Sequence, residues 1–81
     1  MNNKEISIEN LSTLGKLLPY GSRKHIAEKT GTTIRYVTRV LLGLYAPDMK
    51  VIRAAIDYYV EYQTAQRLIA KEVQMALENG R

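Results

Sequence analysis

After Asp48 the chain meets neither proline nor glycine until Gly80. Asp48 is a residue type that accepts hydrogen bonds from the first free N–H groups of a helix, so it is expected as the N-cap. A helix from Met49 to Glu78 is about 45 Å long at about 1.5 Å per residue. That is longer than a compact domain built from 81 residues can cover. As far as about Tyr59 the helix is expected to close a core with Val51, Ile52, Ala55, Ile56 and Tyr59. Beyond that point little sequence remains to pack against it.

The apolar pattern nonetheless continues. Ile52, Tyr59, Gln66 and Val73 recur every seven residues, as do Ala55, Tyr62, Ile69 and Ala76. This is a heptad-like seam with a second apolar flank at Leu68 and Leu77. An apolar stripe that its own chain cannot cover points to a partner chain. A homodimer through Tyr59, Tyr62, Gln66, Ile69 and Val73 is therefore expected. The alternative is a helix that bends near Tyr62 to Thr64 and folds back on the first helix. The chain divides accordingly into a domain at residues 1–62 and an extension of the last helix at 63–81.

The preceding residues read as shorter pieces. Met1 to Ile6 is expected to be a frayed arm. A first helix is predicted over Ile8 to Leu18, capped by Ser7, with Ile8, Leu11, Leu14, Leu17 and Leu18 as its apolar stripe. Gly15 weakens it by up to ~1 kcal/mol relative to Ala, which a close helix crossing would explain. Pro19-Tyr20-Gly21 ends it. A second helix is predicted from a Ser22 cap to about Thr30, with Ile26 and a small Ala27 inward. Gly31 sits where the backbone must turn sharply. Thr33 offers a hydroxyl cap to a third helix over Ile34 to Leu42, with Val37, Val40 and Leu41 inward. Gly43 ends that helix, and Leu44 to Pro47 is a connecting loop. The fold class is all-α: a compact bundle of three to four helices with a long C-terminal one.

Composition narrows the function. There is no cysteine, hence no disulfide framework and no cysteine-based zinc site, and the single histidine, His25, cannot build a metal cluster. His25 is expected at the surface. No metal or other cofactor is expected. The opening MNNKEISIEN lacks an apolar run, so no export signal is expected. No apolar stretch approaches the ~18 residues of a membrane span, and a cytoplasmic location follows. The net charge is +4, but it is unevenly spread. From Lys16 to Arg53 there are eight basic residues against two acidic, a net of +6, while the remainder is −2. A polyanion partner is the natural inference.

The stretch Ala27 to Gly43 carries a resemblance. Ala27, Gly31, Thr33 and the run Val37-Thr38-Arg39-Val40-Leu41-Leu42-Gly43 match the pattern of lac-repressor-type DNA readers residue by residue. Pro47 and the Ile52-x-x-Ala55 pattern are more similar to lambda-repressor-type domains. The resemblance covers roughly Ser22 to Tyr59 and departs at Tyr36, where a smaller residue is usual, and at Leu42, where a polar one is usual. It implies a helix-turn-helix whose third helix enters the major groove of double-stranded DNA. A small transcriptional repressor of phage or bacterial type is the implied function, acting in the bacterial nucleoid or a phage-infected host. A dimer of such domains reads half-sites about one helical turn, ~34 Å, apart.

Within that reading, Ile34, Arg35, Thr38 and Arg39 are the candidate base-contacting residues. Either arginine suits the bidentate contact to guanine, worth roughly 1–3 kcal/mol of discrimination. Ile34 suits a thymine methyl, or else belongs to the core. The candidate phosphate contacts are Ser22, Arg23 and Lys24 at the start of the second helix, with Thr33, Tyr36, Lys50 and Arg53 around the third. Tyr36 alternatively packs beneath the second helix. The rival function is a protein-interaction module, an antirepressor or assembly factor, docking through Tyr58, Tyr59, Tyr62 and the long helix. A membrane-surface tail is disfavoured because Gln63 to Arg81 is nearly neutral and lacks Trp and Phe. No carboxylate pair, nucleophile–base set or glycine-rich phosphate loop suggests an enzyme, and no region of pocket size suggests a small-molecule substrate.

Overall fold

The computed structural model describes residues 7–80, so the expected arm Met1–Ile6 lies outside the described residues. Four helices follow one another: α1 (Ile8–Leu17), α2 (Ser22–Thr30), α3 (Ile34–Leu41) and α4 (Met49–Asn79). Their caps follow from the residues at their ends. The Ser7 side chain accepts from the Asn10 N–H, Thr33 from Tyr36, and Asp48 from both Lys50 and Val51. Both α2 and α3 end the same way. The Thr32 N–H reaches back to the Ala27 carbonyl and the Leu44 N–H to that of Arg39, each at 2.9 Å. This closure requires a left-handed residue, supplied by Gly31 at φ 71° and Gly43 at φ 80°.

The core is one cluster. Leu11 and Leu18 from the α1 segment, Ile26 and Ala27 from α2, and Val37, Val40 and Leu41 from α3 meet Val51, Ile52, Ala54 and Ala55 of α4. Ile56, Tyr58 and Tyr59 pack at its edge. Gly15 is buried where α1 crosses α3, and a Cβ there would lie 3.5 Å from the Leu41 Cβ. That is ordinary van der Waals contact, and the nearest atom is the Arg23 Nη2 at 3.3 Å, so the crossing does not by itself require a glycine there.

Three expectations need correction. The apolar stripe of α1 is narrower than its leucines suggest, for Ile8 is 61% and Leu17 52% exposed. At about 100° per residue Leu17 points some 120° away from the line through Leu11 and Leu18, and α3 and α4 cover only that line. Ser22 is not the cap of α2 but its first residue; Gly21, without a side chain to offer, takes the cap position. The third helix stops at Leu41, one residue early. The alternative of a bend near Tyr62 is not seen, because α4 runs unbroken for 31 residues. Every residue from Thr64 to Gly80 is exposed.

That helix sets the shape. The radius of gyration is 16.0 Å, against roughly 12 Å for a compact domain of this length. No helix among the described residues is long and apolar enough to cross a membrane.

Candidate nucleic-acid interface

Helix α3 is held on one side and free on the other. Val37, Val40 and Leu41 are buried, with at most 1% exposure. Arg35 and Arg39 stand two residues before and after Val37, so both point away from the core. Ile34 and Thr38 occupy one flank of the outward face, and Tyr36 the other. The short turn Gly31–Thr33 fixes this presentation by locking the start of α3 to the end of α2.

The two arginines differ. Arg39 is committed to the loop before α4: its Nη1 donates to the Tyr45 hydroxyl at 3.3 Å, and its guanidinium carbon lies 6.0 Å from the Tyr45 ring centre. Arg35 is exposed and has no side-chain partner among the described residues. Ile34 is half exposed and lines a shallow cleft of about 670 Å³ with Lys16, Leu18, Pro19, Tyr20, Arg23 and Lys24. It is thus at the outer face rather than in the core. Three cations and no carboxylate line that cleft.

The expected phosphate contacts divide into two groups. Lys24 belongs to the cleft beside Ile34. Lys50 and Arg53 lie instead with Lys29, Thr30 and Asp57 in a second groove between α2 and α4. Arg53 there sits 3.8 Å from Asp57, an exposed pair of i,i+4 spacing, worth about 0.3–0.5 kcal/mol. Its charge is partly offset.

Several side chains expected to meet phosphate have other partners. Ser22 is fully buried, and its hydroxyl has no hydrogen-bond partner among the described residues, so it is not on the outer surface. Arg23 turns inward, donating from Nη2 to the Gly15 carbonyl at 3.2 Å and so pinning α2 to α1. The Thr33 hydroxyl caps α3. Tyr36 is half-buried and packs against the core. Its hydroxyl donates to Asp48 Oδ2 at 2.6 Å, and its ring stacks at a tilt on Tyr45, 5.6 Å between centres.

That last bond joins α3 to the cap of α4, since the other carboxylate oxygen of Asp48 takes the Lys50 and Val51 N–H groups. The hydroxyl bond from Tyr36 holds the Asp48 carboxyl below its usual range, aided by the two backbone N–H groups. The same bond raises the Tyr36 hydroxyl above its usual value. Tyr45 and Lys16 were not among the sequence candidates. Tyr45 lies in a loop, where no periodicity marks which way a side chain points, and Lys16 lies in α1, before the Ser22–Tyr59 stretch that carries the resemblance. The surface histidine is as expected: His25 is exposed, its ring 5.0 Å from that of Tyr58.

No protein-family model, no curated protein and no solved structure matches the chain.

Proposed function

We propose that the chain binds double-stranded DNA, with α3 in the major groove. The observation that carries this reading is an outward α3 face bearing Arg35 and Arg39, fixed by the tight turn after α2 and flanked by Lys16 and Lys24. A helix of this width fits the major groove, where base edges carry a readable pattern. Arg35 is the principal base reader, because its guanidinium is uncommitted. Arg39 reaches base or phosphate after releasing Tyr45. Ile34 and Thr38 border the same face. Lys24, Lys50 and the unpaired N–H groups at the start of α2 hold phosphate and set the register. The role is that of a small repressor of bacterial or phage type, in the cytoplasm, without catalysis.

The exposed apolar half of α4 favours a second reading, a protein-interaction module in which α4 docks another protein. One experiment separates the two. Fluorescence anisotropy is measured on random duplexes and on DNA flanking the chain's own gene, at several salt concentrations. DNA binding predicts a salt dependence with a log–log slope of about −0.9 for each phosphate neutralised, hence about −1.8 from Lys24 and Lys50 and more if Arg39 adds a third. It also predicts at least a ~10-fold loss in the Arg35→Ala/Arg39→Ala variant, the equivalent of about 1.4 kcal/mol. An interaction module predicts no binding at low salt and no effect of the two arginines.

A further inference from the structure

The uncovered half of α4 faces the same way as its buried half. Val51 and Ile69 are eighteen residues apart, as are Ala55 and Val73, and eighteen residues make five turns at about 3.6 residues each. Val51 and Ala55 are wholly buried under the other helices, yet Ile69 is 54% and Val73 52% exposed. Tyr62, Ala65 and Ala76 fall on the same face, while Arg67, Lys71 and Glu78 fall opposite. One continuous face of α4 is therefore covered by the other helices for its first half and by nothing among the described residues for its second.

We infer that a second copy of the chain covers this face, with its α4 running antiparallel and the two-fold axis at Ile69. Helices pack at about 8–10 Å between axes. Along Val51 to Ala55 that space already holds α2, which packs on α4. Two parallel α4 helices joined by this face would drive their heads into each other. The antiparallel arrangement places the heads at opposite ends. With the axis at Ile69, residues 60–79 of one chain lie along residues 59–78 of the other, so each tail ends where the other head begins.

Side-chain sizes agree. Tyr62 meets Ala76, Ala65 meets Val73, and Ile69 meets itself, each large group opposite a small one or at the axis. A parallel pair would set Tyr62 on Tyr62 and Ala65 on Ala65. The chain exposes 6237 Å² at 9.2 kDa, where a compact monomer of that mass exposes roughly 4,900 Å², in keeping with a tail helix left uncovered all round. Tyr59, expected both to close the core and to join the seam, packs on its own core and takes a hydrogen bond from Gln63 at 2.8 Å. This pairing rests on α4 alone and holds whether or not the head binds DNA.

The chain has no cysteine, so single cysteines report the arrangement directly. Sedimentation of the full chain is expected to show a dimer, and Ile69→Glu, at an exposed position, to weaken it at least ~10-fold while circular dichroism keeps its helix content. Under oxidation, a mixture of Ala65→Cys and Val73→Cys chains is expected to cross-link, and neither chain with itself. Self-cross-linking of each variant would mean parallel pairing and would overturn the proposal. So would a full chain that stays monomeric at hundreds of micromolar, or a dimer indifferent to Ile69→Glu.

Discussion

The head and the tail of this molecule are built from the same kinds of residue at the same helical spacing, and they differ in what lies opposite. Val51 and Ala55 are sealed in the core that α4 shares with the other three helices. Ile69 and Val73, five turns further on, face water. Apolar periodicity states that a face is to be covered; it does not state by which chain. In the head the covering comes from the same chain, so each core side chain contributes to folding. In the tail, under the proposed pairing, the contribution would wait for association and depend on concentration.

Substitutions sharpen that difference. The largest effect is expected in the head: Leu41→Ala removes a wholly buried side chain at the α1–α3 crossing and is expected to cost about 2–5 kcal/mol. Ile69→Ala, at protein concentrations too low for pairing, is expected to change stability by no more than ~0.5 kcal/mol. Urea unfolding checks both, and similar losses at the two sites would erase the distinction. A smaller effect separates two glycines of the head. Both have positive φ, which costs another residue roughly 1–2 kcal/mol. Gly31 has open space for a Cβ, whereas a Cβ on Gly43 would lie 2.8 Å from Ile8 Cγ2. Gly43→Ala is therefore expected to destabilise more than Gly31→Ala.

The link from α3 to α4 is tested by pH. The Asp48 carboxyl titrates below its ordinary value of 3.8 in the fold. Its contribution is then present above that value and fades as pH falls through the lower folded one. Asp48→Ala is expected to be less stable than the parent at neutral pH, with the gap narrowing in acid. The Tyr36 hydroxyl is shifted the other way, above 10.0, so its contribution is complete below pH 10 and is lost as pH rises through the folded value. The gap between Tyr36→Phe and the parent should close in strong base. Thermal melts across pH measure both.

Much of this fold is legible in the sequence, because its signals are local. Ser7, Thr33 and Asp48 announce three helix starts, Gly31 and Gly43 two ends, and the absence of Pro and Gly after Asp48 the full length of α4. The failures are where position depends on tertiary neighbours. Ser22 has the composition of a cap, but Gly21 takes that role once Pro19 accepts the Ser22 N–H at 3.1 Å. Leu17 has i+3 spacing from Leu14, yet it points away from the line that α3 and α4 cover and stays half exposed. In the candidate site the outward arginines are legible from the inward valines. The occupations of Tyr36, Arg23 and Arg39 are not, since each reaches a partner six or more residues away.

The proposed division of labour between head and tail, DNA at α3 and a second copy at the tail, is tested most directly on a duplex long enough for one head only, about 12 base pairs. Its affinity is measured for the parent chain, for Ile69→Glu and for Arg35→Ala/Arg39→Ala. The expected result is an unchanged affinity in Ile69→Glu and at least a ~10-fold loss in the arginine variant. Equal affinity in the arginine variant and the parent would contradict the account, because α3 would then not be the surface that meets DNA.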